Sequence, residues 1–325
     1  MDSLLHAGGR ACCHAVRLAA SSWSPNVSNT SPSLELSQPP LLAKELLRAA
    51  VARRPSRPGE VPRLDVRVKG FTPDARQLAR YREVCGFPED GYLPLPFPQV
   101  LATSLHLTLL NHPAFPYRLL GMVHVRNHIQ QHHRLHAGAR LSVHAWVEGQ
   151  REARQGRELD LHTVVESDGA QVWSAVTTML RRLPGMGERP REAGRPPSTD
   201  VAQVFANSRP ANWSVPENAG RRYARASGDY NPIHLYGFTA RPFGFPRAIV
   251  HGMWTVGRCV AEMGEAAEAP ALTLSSEFRR PLLLPSRVIF QTAPQPEGAV
   301  AYRVMAEDGQ LHLLGRLSPG ASPAR

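Results

Sequence analysis

A strongly apolar helical pattern followed by a train of strand-like runs occurs twice in this chain of 325 residues. In the first copy the helix covers Pro98–Leu110, and the strands fall between Leu120 and Met179. In the second, Phe245-Pro246 opens an apolar helix that includes Ala248–Met263, and strand-like runs follow at 271–279, 286–292, 299–306 and 310–317. Each copy also has an Arg-led strand, Arg140-Leu-Ser-Val and Arg287-Val-Ile-Phe. An internal duplication of about 120 residues is the simplest source of such a parallel. A helix that is apolar nearly all round must be enclosed, and the antiparallel strands that follow it can curl round it. The pattern therefore predicts an α+β fold in which two antiparallel sheets each wrap a central helix and lie side by side.

The division of the chain follows from the same pattern. Residues 1–40 are rich in Ser, Pro, Asn and Gly without a sustained period, the signature of a disordered extension. Residues 3–33 hold Arg and Ser but no acid, which also suits a transit segment, although the plain extension is the simpler reading. The first folded unit spans 41–183, with a short leading helix at 41–53, a strand at Val61–Val68 and a helix at 74–84. Residues 184–199 (PGMGERPREAGRPPST) have nothing to bury and read as a linker. The second unit spans 200–318, and 319–325 is a tail.

Composition narrows the class of partner. The formal charge of +11 is carried almost wholly by arginine, with only Lys44 and Lys69 among the lysines. Such a surface attracts acidic partners, yet no nucleic-acid motif or basic run interleaved with aromatics is present, so nucleic acid is not expected. No apolar run is long enough for a bilayer, so no membrane association is expected either. The cysteines, Cys12, Cys13, Cys85 and Cys259, form no disulfide framework, which points to a reducing cytoplasm.

The chemistry is concentrated in Tyr223-Ala-Arg-Ala-Ser-Gly-Asp229-Tyr-Asn231-Pro-Ile-His234, with His251-Gly252-Met253 seventeen residues further on. Gly228 and Asn231-Pro232 are turn formers, so the segment reads as an ordered loop rather than a helix or strand. A carboxylate and an imidazole held on one loop can divide acid and base work between them.

These residues resemble the signature of the MaoC-like, (R)-specific enoyl-thioester hydratase/dehydratase family of the hotdog fold. The typed positions are met by Tyr223, Ala224, Ala226, Ser227, Gly228, Asp229, Asn231, Pro232, Ile233, His234 and Ala240, with His-Gly-Met at 251–253. The resemblance covers about 110 residues of the second unit closely, a far stronger signal than a bare Asp-x5-His. It implies a double hotdog in which the second half is active. It also implies syn addition of water to a trans-2-enoyl thioester, or the reverse, without a cofactor or a metal. Asp229 would be the general base, and His234 would orient the water and share in proton delivery. The N–H of Gly252 would meet the developing enolate oxygen near a helix N-terminus, where glycine leaves room for the thioester. Asn231, Ser227, Tyr223 and His251 would hold the loop or the substrate. The substrate would be an acyl-CoA or acyl-carrier-protein thioester, for which Arg241, Arg279, Arg280 and Arg287 are candidate contacts. Fused halves can supply internally the pairing that single hotdogs obtain by dimerising, and a homodimer of the fused chain is compatible with that too.

The first unit departs from this pattern. In place of the Asp/His loop it has Val84-Cys-Gly-Phe-Pro-Glu-Asp-Gly-Tyr92, without Asp-x-Asn-Pro-x-His. Aligning Phe97-Pro98 on Phe245-Pro246 puts Thr103 at His251 and Ser104 at Gly252. The first half is therefore expected to be non-catalytic, stabilising the pair and making room for a long acyl chain. His124, His128, His132, His133 and His136 form a dense cluster, with 128, 132 and 136 at helical spacing, but strands and loops are expected there and metal binding is not. Cys259 reads as a structural thiol. Two other functions compete with the hydro-lyase: a non-catalytic acyl-thioester binding or accessory subunit of a lipid or polyketide pathway, and a hotdog thioesterase. The Asn-Pro-x-His continuation argues against the thioesterase.

Overall fold

The structure, a computed structural model, describes residues 33–51, 59–119, 121–183 and 203–320. The predicted linker, the tail beyond 320 and the first 32 residues of the extension, with Cys12 and Cys13, lie outside the described residues.

Each half runs strand, helix, connector, central helix, then a set of antiparallel strands. The first half has β2 (Leu64–Phe71), α2 (Ala75–Cys85), α3 (Phe97–Asn111), β3 (Met122–Gln131), β4 (Leu141–Val147), the short β5 (Arg151–Ala153), β6 (Gly156–Ser167) and β7 (Ala170–Arg182). The second has β8 (Pro210–Val215), α4 (Ala219–Ser227), α5 (Gly252–Glu262), β9 (Leu272–Phe278), β10 (Ser286–Pro294), β11 (Val300–Ala306) and β12 (Leu311–Pro319). The strand order is β2-β4-β6-β7-β3 in the first half and β9-β12-β11-β10-β8 in the second, so one half mirrors the other. The two sheets join where β3 pairs antiparallel with β9, from Arg126 opposite Glu277 to Gln131 opposite Leu272. The result is one continuous sheet carrying a central helix for each half, which is the double hotdog.

The duplication is visible in backbone detail. Both α2 and α4 stop at a glycine in the left-handed region, Gly86 at φ 86° and Gly228 at φ 77°, and each glycine N–H bonds the carbonyl four residues back. Glycine adopts that conformation without the penalty a Cβ would bring. The two helices pack against each other, with Tyr81 and Tyr223 ring centroids 6.1 Å apart. Helix α3 is enclosed as its sequence requires, with thirteen of its fifteen residues buried.

Four expectations need correction. Ser33–Leu36, inside the expected extension, is a strand (β1) paired in parallel with β2, because the outer edge of β2 offers unspent backbone groups. It leads into α1 (Leu42–Val51), which packs on α3. Tyr223–Ser227 is not loop but the last turn of α4, and the loop begins only at Gly228. The second central helix starts at Gly252 rather than at Phe245-Pro246. Ala248–Val250 run extended beside Leu282–Leu284, with Val250 N–H donating to Leu282 O (2.9 Å) and Leu284 N–H to Ala248 O (2.8 Å). Finally, since the central helices start at Phe97 and Gly252, Thr103 and Ser104 are not the counterparts of His251 and Gly252. They lie inside α3, where Thr103 Oγ1 donates to Gln99 O.

The helical spacing of His128, His132 and His136 is not realised, since His128 lies on β3 and the other two follow it in a loop. His128 Nδ1 instead meets Ser275 Oγ across the joint between the sheets at 2.9 Å. Cys85 and Cys259 are buried and unpaired, and burial pushes both thiols up. No helix among the described residues is long and apolar enough to cross a membrane.

Candidate active site

The stop of α4 at Gly228 releases the chain into a tight turn whose polar groups fix one another. Ser227 Oγ donates to Tyr223 O (2.9 Å) and accepts from the Asp229 N–H (3.2 Å). One carboxylate oxygen of Asp229, Oδ1, accepts the Asn231 N–H at 3.1 Å. Asn231 Oδ1 in turn accepts the Ile233 N–H and starts the single 3-10 turn Pro232–His234. Asn231 and Ser227 thus act as turn locks, side chains doing what backbone partners do elsewhere. The other Asp229 oxygen, Oδ2, lies 3.7 Å from His251 Nε2, and the side chain is one-third exposed (33%) where His234 and His251 are buried.

His234 is held in one tautomer. Its Nδ1 lies 2.8 Å from Ile249 O, and a carbonyl only accepts, so Nδ1 carries the proton and Nε2 presents a lone pair. Burial lowers its basicity below the usual imidazole range, against the opposing pull of Asp229. His251 is held in the opposite sense, its Nε2–H donating to Asp229 O at 2.9 Å, with Nδ1 bare and unpartnered. Burial first, then His234, lower the His251 pKa to about 3. The two rings stack with centroids 3.7 Å apart, and the Tyr223 ring tilts on His251 at 4.8 Å. Burial disfavours the charged form of both stacked rings.

The donor atoms of Asp229, His234 and His251 lie within 4.8 Å of one another, making them the compact acid–imidazole group of the described residues and the set that could hold a cation. Gly252 follows His251 as the first residue of α5, so its N–H has no partner within the helix and points out of a positive helix end. A Cβ on Gly252 would come within 2.7 Å of the Phe278 ring, so only glycine fits between helix and ring. Phe278 rests on His124 of the first half, with centroids 4.8 Å apart.

All seven residues singled out in the sequence therefore come together. Sequence reasoning missed two supports. Gly220, in the first turn of α4, lets the His234 carbonyl pass so close that a Cβ would sit 2.0 Å from its oxygen. The Ile249 carbonyl, which sets the His234 tautomer, belongs to the extended stretch that was read as helix. Glycine in an otherwise polar helix start was the one available signal for the first, and nothing local signalled the second.

Residues 192–290 match the family described as MaoC like domain. A curated relative, 3-hydroxyacyl-thioester dehydratase X of Mycobacterium tuberculosis, is 32% identical over 247 residues, covering 75% of this chain and 85% of the relative. A second, 3-hydroxyacyl-thioester dehydratase Y of the same organism, is 27% identical over 215 residues, covering 58% of this chain and 71% of the relative. The crystal structure of HtdX from Mycobacterium tuberculosis superposes with a TM-score of 0.67 at 29% identity, over 78% of this chain and 99% of that one. A MaoC-like dehydratase from Phytophthora capsici shares the fold, with a TM-score of 0.61 at 16% identity over 82% of this chain and 97% of that one.

Proposed function

The chain belongs to the MaoC-like hydratase/dehydratase family, and on that premise we propose that it interconverts an (R)-3-hydroxyacyl thioester and the trans-2-enoyl thioester. The observation that carries this reading is the approach of the Asp229 carboxylate, His234 and His251 to within 4.8 Å of one another, with Gly252, the chain neighbour of His251, opening α5 with an unspent N–H. In the hydration direction a water donates one O–H to the free oxygen of Asp229 and the other to His234 Nε2. Asp229 takes the first proton as the water oxygen bonds to Cβ, and the enolate oxygen collects charge at the Gly252 N–H. The proton on Asp229 then passes to Cα on the same face. One water is consumed, and its two parts end on adjacent carbons. His251 serves by fixing the Asp229 backbone, and Asn231 and Ser227 by fixing the turn.

The first half, lacking the dyad, is assigned a supporting role: its Phe97 stands where the second half has Gly252. The two unpaired buried thiols suit a reducing compartment, and a cytoplasmic location is part of this proposal.

The test is hydration of short trans-2-enoyl thioesters by the purified protein, followed by loss of enoyl-thioester absorbance with the product enantiomers resolved. Asp229→Asn and His234→Ala should each lower kcat by about a thousandfold or more while the fold persists. Full turnover by either variant would remove the dyad from the mechanism. An (S)-product would remove the stereochemical assignment.

A further inference from the structure

The segment from Tyr230 to Arg247 carries an unusual surface. Every exposed Phe, Tyr or Trp side chain among the described residues lies on residues 230–243: Tyr230 (46%), Tyr236 (45%), Phe238 (69%) and Phe243 (37%). Tyr236 and Phe238 stack on each other, with ring centroids 5.3 Å apart. Arg221 lies over the Tyr236 ring at 4.6 Å and donates to Leu235 O. The Arg247 backbone passes beside Gly237, between those two aromatics, since a Cβ there would lie 3.8 Å from Arg247 Cα. Arg241 opens the turn that ends in Phe243.

The charge of this surface is one-sided. Residues 219–250 contain five arginines and a single acid, Asp229, which the site itself uses. Arg222 is paired with Glu83 (3.0 Å), but no carboxylate of the described residues lies within ion-pair distance of Arg221, Arg241 or Arg247. Arg247 spends one N–H on Pro285 O. Exposed rings interleaved with unpaired guanidinium groups are the composition of a protein interface. Solvated-face charge would not require the rings. A free nucleotide thioester would use the arginines but not so broad an aromatic surface.

We propose that the surface formed by Tyr236, Phe238, Arg241, Phe243 and Arg247 docks an acidic carrier protein that presents the acyl thioester on a flexible arm. This rests on the hydro-lyase reading, because the surface borders the Asp229–His234 turn and delivers the arm to it. The positive charge steers the carrier, and the rings set the complex once formed.

The experiment compares one acyl group, trans-2-butenoyl, on three carriers: a bacterial acyl carrier protein, CoA, and N-acetylcysteamine, which has neither protein nor phosphate. In the variant Phe238→Ser/Arg241→Glu, kcat/KM on the carrier protein should fall by at least about tenfold. On N-acetylcysteamine it should stay within about twofold, and an unchanged Tm shows the fold is kept. The wild-type KM for the carrier protein should also rise with ionic strength. Equal losses on CoA and carrier protein would assign the surface to nucleotide phosphates and overturn the proposal, as would no loss on either. A wild-type dimer in solution that the variant dissolves would assign the face to a second copy instead, with the same consequence. Failure of the catalytic reading looks different, since the wild type would then be silent on all three substrates.

Discussion

At the scale of single residues, the site depends on one carbonyl being allowed close. Gly220 has no part in the chemistry, yet a Cβ there would meet the His234 backbone oxygen at 2.0 Å, and backbone cannot swing aside as a side chain can. Gly220→Ala should therefore displace the Pro232–His234 turn, lower kcat by about a hundredfold or more, and lower Tm by several degrees. Gly237→Ala, whose nearest neighbour would be 3.8 Å away, is the control and should leave both unchanged. Steady-state kinetics and thermal unfolding of the two variants decide it. The contrast also marks what the sequence could tell. Asp229 and His234 were legible because the turn that holds them is built from neighbours in the chain, Ser227, Gly228, Asn231 and Pro232, and Gly252 because it follows His251 in a His-Gly-Met run. Gly220 and the Ile249 carbonyl were not, because their importance comes from backbone brought alongside by the fold.

At the scale of elements, the displaced start of the second central helix has a definite cause. Ala-Ile-Val at 248–250 is as apolar as a buried helix, and period alone cannot tell it from a buried strand. Its partner, Leu282–Leu284, is more than thirty residues away, and that pairing keeps it extended until Gly252. The late start of α5 has a consequence for the joint between the halves. Trp254 Nε1 donates to Val84 O at 2.9 Å and Arg258 reaches Cys85 O at 3.4 Å, so the second central helix satisfies carbonyls at the end of α2. Helix ends leave such carbonyls without internal partners. Trp254→Phe keeps the ring's bulk and removes the donor. It should cost about 1–2 kcal/mol and lower Tm by about 2–4 °C per kcal/mol, with kcat on N-acetylcysteamine thioesters little changed. A large loss of kcat with no loss of Tm would instead give Trp254 a role in the site.

At the scale of the whole molecule, the two halves share a sheet and also share a liability. Each has buried imidazoles kept neutral by the cost of charging them out of water: His106 and His124 in the first half, His234 and His251 in the second. Burial lowers the pKa of His106 and His251 to about 3, and that of His124 to about 4. His106 is committed to a buried polar set, with Nε2 2.7 Å from Thr163 Oγ1 and Gln99 Nε2 bonded to Thr177 Oγ1. In the unfolded chain each ring takes a proton near pH 6.5, while the folded protein refuses it until far lower. Between those values the unfolded state binds more protons, so stability is intact above pH 6.5 and is lost as pH falls. Each fully shifted ring contributes on the order of 1 kcal/mol per pH unit, and a few kcal/mol between pH 6.5 and 4.5. Against a net stability of about 5–15 kcal/mol, two such rings are enough to decide whether the protein stays folded. Thermal unfolding should therefore be a single transition whose Tm falls steeply below pH 6.5. His106→Leu, on the central helix of the first half and unable to take a proton, should flatten that slope. If the slope survives the substitution, His106 is not among the groups that set acid stability. If the single transition splits into two, the shared sheet does not couple the halves.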